Sequence, residues 1–296
     1  MSETKRQSKA PVGATLIVIS SFFYASYGIW TKLMGDYFDG FTSAVFRSLI
    51  VVLLLGLIAF VYHKLEPLNL KRNGKYILGM FIGSLFVWGP LYYAILNAGV
   101  GISMAITYAS IVIGMFLFGR IFGGERLTKV KIISAILGFI GIGLIFIPSV
   151  TNWGWLALIA ALVSGLSSAS TTVFAKQIHY NSTQSTIIMW SAGLAANLLM
   201  AALFSTSFPT IGLDIEWVYL IIFAIASLIA SWTFVRGLKL IDAGAAGILG
   251  LLEIVFAVLF GVLFFHERPG VIALIGMAII LVAASLPYIR RRLRRV

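Results

Sequence analysis

The chain has 296 residues, of which 60% are hydrophobic and only 11% are charged. A soluble domain carries about 25% charged residues to cover its surface, so a soluble globule is excluded and a polytopic helical membrane protein remains. Twenty-two Lys and Arg face 10 Asp and Glu, for a net charge of +12, and the lack of cysteine excludes disulfides, iron–sulfur clusters and thiolate metal sites.

A membrane helix needs about 20 mostly apolar residues to cross a hydrocarbon layer about 30 Å thick. Ten such stretches follow in order: 12–33, 41–62, 75–97, 100–119, 130–148, 153–175, 185–206, 216–236, 243–265 and 270–289. Lipid offers backbone groups no water, so these are helices; a barrel would alternate in ten-residue pieces. The first stretch follows Lys5, Arg6 and Lys9. It is too long for the apolar core of a leader and further spans follow at once, so it is expected to be retained.

Charge sets the orientation. With the N-terminus inside, every Lys and Arg except Lys32, Arg47 and Arg268 falls on the cytoplasmic side. The outer loops instead carry Asp36, Asp39, Asp214, Glu216 and Glu267. Both termini are therefore expected in the cytoplasm, as an N-tail at 1–11 and a basic C-tail at 290–296. The excess of positive charge is a topology signal, with attraction to anionic membrane lipid as a by-product. No nucleic-acid partner is expected, because the charge is spread over short loops.

The chain repeats itself. Shifted by 144 residues, Ser20, Ala25, Ser26 and Lys32 fall on Ser164, Ala169, Ser170 and Lys176. Ala98-Gly99 and Ala243-Gly244 each open a helix that ends in Glu-Arg, at Glu125-Arg126 and Glu267-Arg268. A five-span unit is thus duplicated, as 12–148 and 149–289. Five is odd, so the copies enter the membrane in opposite senses. Inverted repeats are characteristic of secondary transporters, where the halves exchange conformations to give alternating access.

These residues resemble the EamA-type branch of the drug/metabolite transporter superfamily. Gly124-Glu125-Arg126-Leu127-Thr128 reproduces the helix-ending motif of that branch, and His266-Glu267-Arg268-Pro269 keeps its central pair. Arg47 matches an arginine found early in the second helix. Leu252-Glu253-Ile254 stands where the ninth helix often has Leu-Glu-Pro, without the proline that would bend it. The resemblance covers about 12–289. It implies ten helices, export or exchange of small metabolites with amino acids prominent, and a central cavity built by helices one, three, four, six, eight and nine.

Polar and aromatic residues at helical spacing mark candidate cavity faces. Tyr24 and Tyr27 lie in such a stripe with Ser20 and Thr31; Trp88 and Tyr92 with Ser84; Thr107, beside Tyr108, with Ser103 and Ser110; Ser168 and Thr171 with Ser164; and Trp232 beside Ser227 and Ser231. Each hydroxyl has an alternative use, bonding back to its own helix or joining two helices closely. Glu253 lies mid-span, where an acid costs about 2.5–3.5 kcal/mol to insert. It shares a face with Ala246, Gly250 and Ala257, so it points into the bundle, as a ligand for a substrate amine, a proton carrier, or an acid bonded to a neighbouring helix. Arg47 lies about two turns inside the outer end of its helix, where it either snorkels to the interface or meets a substrate carboxylate or a gating partner. Lys32 and Lys176, repeat mates at opposite faces, are either snorkelling anchors or gate contacts. Pro90, in Trp88-Gly89-Pro90, should kink the third span. Gly79, Gly83, Gly138, Gly141, Gly143, Gly270 and Gly276 suggest close helix packing.

No nucleotide-binding loop, zinc-protease motif or in-span histidine appears. The expectation is a carrier with no catalytic residues, no metal and no cofactor, as monomer or homodimer, in the cytoplasmic (inner) membrane of a bacterial cell. Its substrate is expected to be a small metabolite, with amino acids or related amines foremost and export the favoured direction. A drug or nucleobase carrier, a channel and a non-transporting membrane protein are the alternatives.

Overall fold

The computed structural model describes residues 9–146, 154–204, 209, 212 and 214–293. The basic N-tail before residue 9, the boundary between the predicted halves and the end of the C-tail lie outside these residues. Among the described residues there are thirteen helical segments and no strand. In chain order they are α1 (Ala10–Ala25), α2 (Tyr27–Met34), α3 (Gly40–Val61), α4 (Leu70–Leu85), α5 (Trp88–Ala98), α6 (Val100–Gly123) and α7 (Lys129–Phe146). There follow α8 (Trp155–Gln177), α9 (Ser182–Phe204), α10 (Ile215–Leu238), α11 (Ala243–Gly250), α12 (Leu252–Phe265) and α13 (Val271–Leu293).

Consecutive pieces join into long spans: α1 with α2, α4 with α5, and α11 with α12. Among the described residues nine spans are then long and apolar enough to cross a membrane, and Val271–Pro287 within α13 adds a shorter apolar stretch. The chain is a multi-pass membrane protein. The helix ends lie within a few residues of the sequence reading, because apolar run length decides them. Local chemistry closes them. Asp39 caps α3, its Oδ1 accepting the N–H groups of Phe41 and Thr42, both at 2.8 Å. Gly99 (φ +83°) separates α5 from α6, and Gly124 (φ +62°) ends α6 in the left-handed region that glycine tolerates.

The three broken spans have different causes. α4 stops at Phe86–Val87, just before Trp88-Gly89-Pro90. Pro90 cannot donate to the Phe86 carbonyl and its ring crowds that turn, as the sequence predicts. The ninth span breaks at Leu251 without any proline, directly after Gly250 and two residues before Glu253. The first breaks at Ser26, whose Oγ donates to the Phe23 carbonyl (2.6 Å) and accepts from Trp30 Nε1 (3.1 Å). At these last two breaks, bonds three residues apart stand in for part of the four-residue ladder.

The interior is built on small residues. A Cβ on Gly114 would stand 2.6 Å from that of Ala169, and one on Gly165 would stand 2.6 Å from that of Ser110. These approaches bring α6 and α8 together backbone to backbone. Gly141 and Gly276 meet across α7 and α13 in the same way, while Gly138 receives Leu251, Gly79 receives Phe174 and Gly83 receives Thr171. Gly270 has open space around it and joins no seam. The largest buried cluster, with Val112, Met115, Ile142, Ile248, Leu251 and Ile280, ties α6, α7, α11 and α13 together.

Repeat mates make matching contacts to the other half. Ser20 Oγ donates to the Ala230 carbonyl (2.8 Å), and its mate Ser164 Oγ donates to the Val87 carbonyl (2.7 Å). Lys32 Nζ meets Glu267 Oε1 at 3.2 Å, and its mate Lys176 Nζ meets Glu125 Oε1 at 2.5 Å. Each contact joins the first helix of one half to a later element of the other.

Candidate functional site

Arg47 lies two turns inside α3, with a side chain only 4% exposed as a whole residue. Four rings surround its guanidinium: Phe223 at 4.4 Å, Tyr27 at 5.0 Å, Trp88 at 5.3 Å and Trp190 at 5.9 Å from Cζ to ring centre. Five helices contribute to this cage, with α2, α3, α5, α9 and α10 each supplying one group. Ring faces attract a cation electrostatically, more so where water is excluded. They offer its N–H groups no acceptor oxygen, and the buried Arg47 Nε has no hydrogen-bond partner. The ion pairs among the described residues do not include Arg47. A buried charge without a counter-charge is costly unless something supplies one.

An acid lies near Tyr24 and Tyr27. Glu253 is half-buried on the first turn of α12, and Tyr108 of α6 donates its hydroxyl to Glu253 Oε1 at 3.0 Å. The Tyr24 and Tyr27 rings meet edge to face at 5.2 Å. Tyr27 lies against Arg47, and both tyrosines are close enough to Arg47 and to Glu253 to feel the two charges. Phe234 closes the cluster against Tyr24, and Trp190 is fixed by a bond from its Nε1 to Ser231 Oγ (2.8 Å). The arrangement offers a donor group for an anion, an acceptor for a cation and aromatic walls between them.

Tyr24, Tyr27, Arg47, Trp88, Tyr108 and Glu253 are thus brought together from the sequence-predicted set. The rest lie elsewhere. Thr107 is buried in the α6–α8 seam and donates to the Ala161 carbonyl (3.2 Å), while Thr171 bonds to its own helix at Ser168. Ser168 stays half-buried on α8, its carbonyl taken by Thr171 and Thr172. Tyr92 is 51% exposed and meets Phe41 near the start of α3. Trp232 lies towards the end of α10, bonded through Nε1 to Thr183 Oγ1 (3.1 Å). Trp190, Phe223 and Phe234 are cage residues that the sequence does not single out, since an aromatic in an apolar span carries no signal of its own.

Lys32 and Lys176 mark the two ends of the bundle. At the end where α1 begins, the Lys176–Glu125 pair is buried, with side chains 8% and 6% exposed. Lys176 also donates to the Ile241 carbonyl (2.6 Å), and Glu125 Oε2 accepts the Ala243 N–H (2.7 Å). Lys131 and Asp242 pair beside them at 2.7 Å. Nearby, Lys239 donates to the Tyr180 carbonyl and Ser185 Oγ, both at 2.7 Å. Burial pulls the Lys239 ammonium down to about 8, with Glu66 opposing. At the other end the Lys32–Glu267 pair is open to water, at 55% and 58% exposure. Among the described residues no group of three or more His, Cys, Asp or Glu could hold a metal ion.

Comparison with known proteins agrees with this architecture. A solved crystal structure superposes with a TM-score of 0.78 at 18% identity, over 95% of this chain and 98% of that one; this shows a shared fold. An uncharacterized transporter of Helicobacter pylori (strain J99) is 22% identical, over 96% of this chain and 98% of its own. Uncharacterized transporter YxxF of Bacillus subtilis is 24% identical, over 93% of this chain and 89% of its own. The EamA-like transporter family matches twice, at residues 11–147 and again at 155–288. The chain belongs to the EamA-like transporter family and is a membrane transporter built from two copies of that unit.

Proposed function

We propose that the chain is a secondary carrier that exports amino acids or related amines across the cytoplasmic membrane by alternating access. The observation that carries this reading is the buried Arg47, outside every ion pair among the described residues and held against Tyr27, with Glu253 near Tyr24 and Tyr27. A substrate carboxylate would supply the counter-charge Arg47 lacks, and a substrate ammonium would meet Glu253 and Tyr108. The rings around Arg47 would hold an apolar or aromatic side chain.

The exchanged contacts support two inverted halves. Because the Lys- and Arg-rich end is taken as cytoplasmic, Lys176–Glu125 is a cytoplasmic latch and Lys32–Glu267 its outer counterpart. The latch is fastened and buried, so the site in this state is shut off from the cytoplasm. Opening inward requires the cytoplasmic pair to part, while the outer pair, already in contact at 3.2 Å but open to water, becomes buried. A second reading, a carrier of flat aromatic substrates such as nucleobases, draws on the same four-ring cage.

The test is flux in proteoliposomes loaded with a panel of amino acids, polyamines and nucleobases. Export of a zwitterion, reduced in both Arg47→Gln and Glu253→Gln, supports the proposal. Normal flux in Glu253→Gln at every pH, or flux of nucleobases alone, would overturn the amino-acid assignment.

A further inference from the structure

A second site lies outside the central cavity, where α3, α9 and α10 approach the end of the bundle where α1 begins. It is a crevice of about 310 Å³ lined by Leu55, Ile58, Tyr62, Lys64, Thr183, Leu228 and Trp232. Its depth and its mouth differ in chemistry. Leu55, Ile58 and Leu228 make the deep part apolar. Ile58 and Tyr62 are exposed on the outer face of the bundle, so the crevice opens sideways.

The mouth carries two cations, with the Glu66 carboxylate held nearby by Asn181. On α10, Leu228, Trp232 and Arg236 follow one another at one-turn steps, and the Arg236 guanidinium lies 5.1 Å from the centre of the Trp232 ring. On α3, Leu55, Ile58 and Tyr62 descend the same way to Lys64. The end of that helix is tightly turned: His63 sits at φ +49°, His63 N–H donates to the Phe60 carbonyl (3.2 Å) and Lys64 N–H donates to the Ala59 carbonyl (2.8 Å). This double closure holds Lys64 back over the helix end. Thr183 belongs to the first turn of α9, so that helix also presents its positive end here. Among the described residues neither Lys64 nor Arg236 is in an ion pair. From Leu228 to Trp232 the lining runs about 6 Å along the axis, at about 1.5 Å per residue, and Arg236 follows one turn beyond it.

We infer that this crevice is a binding site for a diacyl anionic phospholipid, its acyl chain along Leu55, Ile58 and Leu228 and its phosphate between Lys64 and Arg236. An apolar slot that opens into lipid and ends in two unpaired cations at the level of the helix ends matches both parts of such a molecule. Trp232, pinned by Thr183, forms the wall at the junction of tail and headgroup.

The test is lipid retention by the full chain, purified in detergent and offered phosphatidylglycerol and phosphatidylcholine in equal amounts, read by native mass spectrometry. Each surface cation favours an anionic headgroup about fivefold, so a preference of about 30-fold for phosphatidylglycerol is expected. Lys64→Gln with Arg236→Gln should abolish the preference, Lys64→Arg with Arg236→Lys should keep it, and Trp232→Ala should weaken retention of both lipids. Equal retention of the two lipids by the natural chain, or a preference unchanged by the double glutamine variant, overturns the assignment. So does competition by glycerol 3-phosphate as effective as that of the lipid, which would leave an anion site without a role for the tail. Both glutamines replace side chains at helix ends, and cooperative unfolding in phosphatidylcholine checks that the fold survives. None of these outcomes depends on the central cavity.

Discussion

Lys176 and Glu125 form a buried ion pair between the two halves, whereas their repeat mates Lys32 and Glu267 form the corresponding pair in water. The two sites use the same chemistry at opposite ends, and their unequal burial gives them unequal weight. Breaking a buried pair leaves an uncompensated charge and costs about 3–5 kcal/mol, while an exposed pair contributes about 0–1 kcal/mol. Glu125→Gln should therefore lower the stability of this state by several kcal/mol, and Glu267→Gln should leave it nearly unchanged. Chemical denaturation in detergent reads both. Lys176→Glu with Glu125→Lys should recover part of the loss. Equal losses from Glu125→Gln and Glu267→Gln would sink the assignment of a latch to one end.

Arg47 should separate stability from function. Replacing a buried unpaired guanidinium by an apolar side chain of similar length removes its desolvation cost. Arg47→Met is expected to keep the fold or to stabilise it by about 1–4 kcal/mol. It should weaken substrate binding about 10- to 100-fold, the worth of lost hydrogen bonds to a charged group. Thermal unfolding and substrate-dependent shifts of the same sample measure both effects. A strongly destabilised variant would show that the cage holds Arg47 for structure.

Two glycines should respond oppositely to one added methyl. Gly165→Ala places a Cβ 2.6 Å from that of Ser110 and forces α6 and α8 apart, at a cost of about 1–3 kcal/mol. Gly193, within α9, has nothing within 4 Å of the same position. Gly193→Ala should be neutral or stabilise by up to about 1 kcal/mol through helix propensity. The pair is a control on packing, since the substitution is identical.

Lys239 predicts a pH dependence of stability. Its native pKa of about 8 lies below the ordinary lysine value of about 10.4. Between those values the unfolded chain keeps a proton that the native chain has released, so stability rises with pH. Between pH 8 and 10 the natural chain should gain about 2 kcal/mol relative to Lys239→Met, which lacks the titrating group. Parallel stability curves for the two proteins would refute it.

The membrane spans were legible because an apolar run of about 20 residues has few other uses, and the kink before Pro90 because proline acts locally. The break at Leu251 was not, since it involves Gly250 and the neighbouring helices rather than a proline. Tyr24, Tyr108 and Glu253 could be singled out in the sequence because hydroxyl and carboxyl groups within an apolar span need partners. Thr107 carries the same signal yet spends its hydroxyl on the Ala161 carbonyl, and nothing in its helical spacing distinguishes the two outcomes. The lysine mates were visible as repeats, but their glutamate partners lie 235 and 51 residues away. Only folding reveals that each half reaches into the other.

The charges of the proposed substrate site would have an electrical consequence. With Glu253 ionised, Arg47 and Glu253 cancel, and a bound zwitterion adds no net charge. Moving one elementary charge across 100 mV is worth about 2.3 kcal/mol, yet neither the loaded nor the empty site then offers the field a net charge to move. Such a carrier runs on the concentration ratio of its substrate alone and is silent to a voltage clamp. One carrying a polyamine through the same site would answer to every change in membrane potential.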